Sequence, residues 1–323
     1  MLTVNDRIKG LIYGQAIGDA LGLGTEFMSK SDVSRKYPDG LHNFDQIIRD
    51  RHRCRWAKGA WTDDTDQMLC ILDSILDNHG IDIYDIAARL RSWVQNGGLG
   101  VGQLVMSVVS SRNFLEDPHS AARDAWEMTA KRAAPNGGLM RTSILGAWEY
   151  NSLEKVISNV EKVCRITHYD PRCVGSCVAV CIAISQLLQG ITDVSQIMKV
   201  VTEKAAEYSL EVVSYLDMTE SNSLDVFDLD EGLNPQENNS IGFTLKAMGA
   251  AFWSLRHAPS FYDGISQIIH EGGDADTNAA IAGAILGARD GFESIPIGLV
   301  KNLVGRADLD NRNDRLLQLL HGM

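Results

Sequence analysis

Gly10, Gly14, Gly18 and Gly22 recur at every fourth residue. At 3.6 residues per helical turn, that spacing lines four glycines along one helix face. Each costs roughly 1 kcal/mol of helix propensity relative to alanine, so something in the fold must offset the loss. Close approach of another helix is the natural candidate. The residues between the glycines are polar as well as apolar (Gln15, Asp19), which argues against a membrane dimer motif.

Helical periodicity runs through the rest of the chain. Met68, Leu69, Leu72, Ile75 and Leu76 follow the i, i+3, i+4, i+7 pattern, and Val156, Val160 and Val163 repeat it. Val174, Val178 and Ile182 form a further stripe, as do Leu245, Met248, Ala251, Phe252 and Leu255. Ala279, Ala280, Gly283, Ala284 and Gly287 predict one more helix with a thin face. Alternating strand patterns are hard to find, so the expected fold is an all-α globule of many helices. No long linker divides residues 1–323, and a single domain is expected. Residues 217–239 are acidic, rich in Asn and Ser and weakly periodic, and read as a surface excursion from that domain.

Charge and cysteine usage exclude several classes. The 323 residues carry a formal net charge of −12, whereas a nucleic-acid groove normally shows a basic bias. No apolar run approaches the roughly 20 residues that span a bilayer. The first residues, MLTVNDRIKG, lack the apolar stretch of a signal peptide. A cytoplasmic monomer with no membrane partner is therefore expected. Cys173, Cys177 and Cys181 fall four apart on one helix face. Three side chains along a stripe do not converge on one ion, so they read as small buried thiols.

Two segments carry chemistry. Trp61-Thr62-Asp63-Asp64-Thr65-Asp66 opens the Met68–Leu76 helix, and Gly272-Gly273-Asp274-Ala275-Asp276-Thr277 opens the alanine-rich one. Either alone reads as helix capping, because Thr and Asp suit an N-terminus. Together they hold more carboxylates than two caps require. If the two helix starts meet, their charges repel unless a cation lies between them. Oxygen-only ligands favour a hard ion, Mg²⁺ or alternatively Mn²⁺.

Five motifs in chain order then resemble the ADP-ribosylglycohydrolase family. They are Gly14-Gln15-Ala16-Ile17-Gly18-Asp19-Ala20-Leu21-Gly22 with Glu26, Trp61-Thr62-Asp63-Asp64-Thr65, Asn136-Gly137-Gly138-Leu139-Met140-Arg141, Thr167-His168, and Gly272-Gly273-Asp274-Ala275-Asp276-Thr277. The resemblance implies a compact multi-helix bundle with two Mg²⁺ or Mn²⁺ ions at the base of a cleft. It implies Thr62, Asp63, Asp64, Asp274, Asp276 and Thr277 as metal ligands. Glu26, Asp63 and Asp64 would be the acid–base residues. Gly100, Val101, Gly102, Asn136, Gly137, Gly138, His168, Asn239, Ser240, Ile241, Gly272 and Gly273 would line the substrate. The implied reaction removes ADP-ribose from a modified protein side chain, with arginine as the expected linkage. A catalytically weak ADP-ribose-binding module, or a hydrolase of a free ADP-ribosyl derivative, are the alternatives.

The chain also departs from the pattern. Several relatives carry an Asp where this sequence has Gly100, and some serine-specific ones carry an aromatic before the Asn136 loop, where Ala133, Ala134 and Pro135 stand here. Among other residues, Arg141 is expected to pair with a buried acid, and Trp56, Trp61 and Trp126 to be core. Asp19 is expected either to orient a metal ligand or to cap a neighbouring helix.

Overall fold

The computed structural model describes residues 2–233 and 240–322. Sixteen α-helices follow one another there: α1 (Val4–Gly22), α2 (Lys30–Lys36), α3 (Asp63–Asn78), α4 (Ile83–Gln95), α5 (Gln103–Val109), α6 (Pro118–Met128), α7 (Leu139–Thr142), α8 (Leu153–Cys164), α9 (Pro171–Leu188), α10 (Val194–Ala205), α11 (Leu210–Met218), α12 (Thr244–His257), α13 (Phe261–Glu271), α14 (Ala275–Asp290), α15 (Ile297–Asn302) and α16 (Arg306–His321). Among the described residues no strand forms, and one isolated antiparallel bridge joins Pro135 to Phe243. The expected all-α class is what the chain adopts.

The glycine ridge of α1 meets the thin face of α14. A Cβ placed at Gly10, Gly14, Gly18 or Gly22 would stand 2.2, 2.1, 2.1 or 2.4 Å from the carbonyl oxygen of Gly287, Gly283, Ala279 or Ala275 respectively. The contact is reciprocal, since Cβ atoms at Gly283 and Gly287 would meet the Gly14 and Gly10 carbonyls at 2.1 and 2.0 Å. The helices run antiparallel with their backbones touching over four turns. Dense backbone contact offsets the propensity cost of the glycines. It also sets the C-terminal end of α1 beside the N-terminal end of α14.

α1, α9 and α14 are buried on nearly every side, the pattern of central helices. By length and composition alone α9 could cross a membrane, but it lies packed inside the protein. Its cysteines behave as small core groups: Cys173 Sγ donates to Pro135 O, Cys177 Sγ to Cys164 Sγ, and Cys181 Sγ to Thr142 O.

The expected surface excursion is more deeply seated than its composition suggests. Leu224, Phe227 and Leu229 are buried. The Phe227 ring fills the space above Gly249 and stacks near Tyr215. Three apolar residues dispersed among acids anchor this stretch, two of them on the single 3₁₀ turn Leu224–Phe227. Residues 234–239 lie outside the described part.

Candidate active site

Three chain segments converge where α1 ends and α3 and α14 begin. Asp19, on the last turn of α1, is fully buried and reaches across to the start of α3. Its Oδ1 accepts from Thr62 N and Oγ1 at 2.9 and 2.8 Å, and its Oδ2 from Thr65 N and Oγ1 at 3.0 and 2.6 Å. Of the two roles expected of Asp19, the hydrogen bonds show the cap. It caps α3 from another helix, and in doing so it fixes Thr62, Asp63 and Asp64.

The second acidic segment is pinned to the turn that carries Glu26. Phe27 N donates to Gly273 O at 2.7 Å and Gly273 N to Met28 O at 2.8 Å. Gly273 is in the left-handed region (φ +69°), and a Cβ there would meet Leu229 O at 1.9 Å; one at Gly272 would meet Met28 O at 2.2 Å. Only glycine allows such approach. Gly272 N is also spent, on Ile269 O. The structure thus gives Gly272 and Gly273 a packing role.

Carboxylates gather between these anchors. Glu26, Asp274 and Asp276 each offer an oxygen, and the three oxygens lie within 4.8 Å of one another. The Thr277 side chain lies near enough to Asp64 to favour its ionised form, bringing the two motifs together. Asn136 Nδ2 donates to Asp274 Oδ2 at 2.7 Å, and Gln67 Nε2 to Asp63 Oδ2 at 3.2 Å. Asp64 Oδ1 is buried with no hydrogen-bond partner among the described residues. Burial, and then repulsion from neighbouring carboxylates, pushes Asp63, Asp64 and Asp276 well above the ordinary carboxylate range. The same causes lift Asp274 to about 7, and burial lifts Asp19 to about 7 against the pull of its Thr62 and Thr65 donors. Massed acids, an orphaned carboxylate oxygen and two hydroxyls fit a hard divalent cation, which would reverse both causes. Asp66, the third acid of its motif, turns away. It accepts the indole N–H groups of Trp61 and Trp93 at 2.8 and 3.1 Å.

Loops rim the acids. Gly100, at φ +101°, lies against Asp63: a Cβ there would stand 2.3 Å from Asp63 Oδ1. Val101 and Gly102 follow it into α5. The Asn136 loop is stitched to the chain leading into α12, with Asn136 N donating to Gly242 O and Thr244 N to Ala134 O. Gly242 faces Asp274 and Asn136, while Ser240 and Ile241 lie just before it. Asn239 lies outside the described residues.

Behind the rim runs a buried relay. Arg141 donates from Nη1 to Gln67 Oε1 at 3.0 Å and from Nη2 to Thr167 Oγ1 at 2.5 Å, and Thr167 Oγ1 pairs with His168 Nδ1 at 2.7 Å. The expected acid partner of Arg141 is replaced by these neutral groups, and burial pushes its guanidinium below its usual range. His168 is 1% exposed and lies under the Gly137–Gly138 backbone, its Nε2 unpartnered. Burial, followed by the Arg141 charge, drives its imidazole well below the usual range, so the ring is neutral. Of the tryptophans, Trp56 is buried as expected, while Trp61 and Trp126 are half-buried.

Two contributors were not legible as such. His52 sits in a basic run, Arg49-Asp50-Arg51-His52-Arg53, that reads as solvated surface, yet its Nε2 lies 2.5 Å from Glu26 Oε2. Gly242 gave no signal beyond following the Ile241 position.

An all-α body with a buried carboxylate centre at two helix starts places the chain among hydrolases whose acidic site can hold a metal. More particularly, it belongs to the ADP-ribosylglycohydrolase family, whose model matches residues 1–322. It is thus a hydrolase that removes ADP-ribose. The chain is 26% identical over 97% of its length to an ADP-ribosylarginine hydrolase of Serratia proteamaculans, of which 80% is covered. It is 25% identical over 98% of its length to the ADP-ribosyl-[dinitrogen reductase] glycohydrolase of Rhodospirillum rubrum, of which 97% is covered. A solved structure of an ADP-ribosylglycohydrolase-related protein complex shares the fold, with a TM-score of 0.79 at 23% identity over 99% of both chains.

Proposed function

We propose that this hydrolase cleaves the bond between the ribose anomeric carbon and a modified protein side chain, with arginine as the linkage. Two Mg²⁺ ions, or Mn²⁺ in their place, would be held by Thr62, Asp63, Asp64, Asp274, Asp276 and Thr277. The observation that carries this reading is the buried Asp64 Oδ1 without a partner, set among acids that burial and repulsion hold away from ionisation. The arginine linkage is supported by the likeness to the Serratia ADP-ribosylarginine hydrolase.

When bound, the ions would hold ribose hydroxyls and lower the pKa of a nucleophilic water. The chain supplies the rest. Asp19 fixes Thr62 and Asp63–Asp64, so the ligand oxygens are placed before substrate arrives. Glu26 is the acid–base residue, at the mouth of the cluster. It takes the proton of the attacking water, a role Asp63 and Asp64 share, and that proton passes on to the departing arginine nitrogen as the C1–N bond breaks and the C1–O bond forms. Asn136, Gly137 and Gly138 with Gly100, Val101 and Gly102 bring backbone close to the diphosphate, where small residues admit the ligand. His168 backs the Gly137–Gly138 turn and holds its shape, while Ser240 and Ile241 line the side near Gly242. Fixing the ribose against prepositioned groups makes proximity a large part of the rate enhancement.

The test is release of product from arginine-linked, serine-linked and free ADP-ribosyl substrates, with and without EDTA. ADP-ribose released from the arginine-linked substrate, and lost in EDTA, is the expected result. Binding without turnover would make the chain a reader of ADP-ribose, and release of AMP or phosphate a phosphohydrolase.

A further inference from the structure

The turn after α1 that carries Glu26 is held from one side by residues 49–56. Arg53 is buried and donates from Nε to Gly24 O at 2.9 Å and from Nη2 to Glu26 O. Its Nη1 pairs with Asp50, whose Oδ1 also accepts from His52 N at 3.1 Å. Arg49 Nη1 closes the loop onto Trp56 O at 2.7 Å. The backbone of this loop is therefore fixed to the Glu26 turn without any help from the His52 side chain.

That side chain does something else. The ring of His52, 26% exposed, is held between Phe27 and Trp56, with centroids 5.1 and 5.3 Å away. Its Nε2 then reaches Glu26 Oε2 at 2.5 Å. Glu26 is 7% exposed, and among the described residues its Oε1 accepts no hydrogen bond. One carboxylate oxygen is tied to His52, and the carboxylate itself sits beside Asp274 and Asp276, one of its oxygens within 4.8 Å of theirs. A glutamate has three side-chain torsions, and a free one would distribute its oxygens over several rotamers. Phe27 contributes to the same arrangement. It sits at φ +58° with its side chain 54% exposed, a backbone region uncommon for bulky residues, and its ring there covers the His52 edge.

On the reading of the site given above, we infer that His52 is a positioning residue for hydrolysis: it clamps one oxygen of Glu26 so that the other faces the reacting water. The clamp acts through a hydrogen bond from Nε2–H, which either charge state of the ring can donate.

The experiment compares wild type, His52→Ala, His52→Gln, Glu26→Gln and the His52→Ala/Glu26→Gln double variant, each with Mn²⁺. His52→Ala should lower kcat by about tenfold or more with KM changed by less than about threefold, because the clamp acts on the reacting geometry and not on ground-state binding. Glutamine can donate from a similar distance, so His52→Gln should restore most of the loss. The double variant should be no slower than Glu26→Gln alone, as expected of two residues acting as one unit. Wild-type kcat in His52→Ala, no recovery in His52→Gln, or losses that multiply in the double variant would each overturn the clamp. If wild type turns over no ADP-ribosyl substrate, the functional reading fails, and the clamp is judged on crystals of wild type and His52→Ala soaked in Mn²⁺. A Glu26 carboxylate that leaves its wild-type place in the variant supports it, and one that stays refutes it.

Discussion

Gly22 lies so close to Ala275 that a Cβ would stand 2.4 Å from the Ala275 carbonyl oxygen and 2.6 Å from the Asp276 Cα. This contact ends the α1–α14 ridge and is also the point at which Glu26 meets Asp274 and Asp276. In an open helix Gly→Ala gains roughly 1 kcal/mol. Here the methyl group has backbone on its far side, and overpacking of that kind costs about 1–3 kcal/mol. Gly22→Ala is expected to lower Tm by about 3 °C or more and to weaken divalent-cation binding by prising the helices apart at the site. Gly298, in α15, has nothing within 4 Å of its added Cβ, so Gly298→Ala is the control that should hold or raise Tm. Equal behaviour of the two variants in a thermal melt would show that the ridge is not close-packed.

The acid cluster gives the metal-free protein a definite pH dependence. Asp274 is lifted to about 7, and Asp63, Asp64 and Asp276 are lifted too, chiefly by burial. A carboxyl with a raised folded-state pKa keeps its proton longer in the folded chain than in the unfolded one. Its contribution is present below the unfolded pKa of about 4 and is lost as pH rises toward about 7. A bound divalent cation replaces those protons, so its stabilisation grows over the same window. Tm measured in EDTA and in saturating Mg²⁺ from about pH 4.5 to about pH 7.5 should diverge with rising pH. Acids such as Asp50 and Asp85, held below their ordinary range despite partial burial by Arg53 and Arg89, push stability the other way in both conditions and cancel in the difference. A metal-induced shift that is constant or shrinks with pH would contradict the cluster.

How much of this was legible follows from how local each signal is. The glycine ridge and the thin face of α14 were readable because four-residue spacing is a property of one helix. That they face each other is a long-range fact no single helix carries. The two acidic helix starts were visible as composition, and the cap that holds the first of them comes from Asp19, which lies more than forty residues before Thr62 in sequence. Arg141 was misjudged because a buried guanidinium normally pairs with an acid, whereas Gln67 and Thr167 supply neutral acceptors here. His52 was hidden by its neighbours: among five basic or acidic residues it looks like solvated surface, and only the fold turns its ring toward Glu26. Leu224, Phe227 and Leu229 escaped for a similar reason, since isolated anchors in an acidic stretch have no period to detect.

Asp19 makes a sharp case for the carboxylate form. Four donors from Thr62 and Thr65 converge on it, and only an ionised carboxylate accepts them all without a competing donor. Asparagine would turn an NH₂ toward two of those donors. Asp19→Asn is expected to cost about 2 kcal/mol or more by stranding buried hydrogen-bond donors. It should also lower divalent-cation affinity by about tenfold or more, as loss of a group that orients ligands does. Calorimetric titration of Mn²⁺ into the folded variant checks this, and wild-type affinity would confine Asp19 to helix capping.

Gly100 sets the last test, on the rim facing Asp63. Its φ of +101° and the 2.3 Å between an added Cβ and Asp63 Oδ1 leave a side chain neither the backbone conformation nor the space it needs. The residue itself is exposed, so substitution should spare the core and act on Asp63 alone. Gly100→Ala is expected to displace Asp63 or drive the loop outward, lowering kcat/KM by about tenfold, since displacements near 1 Å at a positioned group cost up to about a hundredfold. Tm should fall modestly, through the backbone strain at positive φ, because no buried apolar contact is lost. Gly100→Asp adds a charge to the same steric conflict. With Mg²⁺ absent it should bring a further carboxylate against Asp63 and lower Tm below that of Gly100→Ala. With Mg²⁺ saturating, the difference should narrow as the cation compensates the added charge. If both variants keep wild-type kcat/KM, the loop that carries Gly100 moves freely away from Asp63, and the rim drawn by Gly100, Val101 and Gly102 plays no part in setting the acid's position.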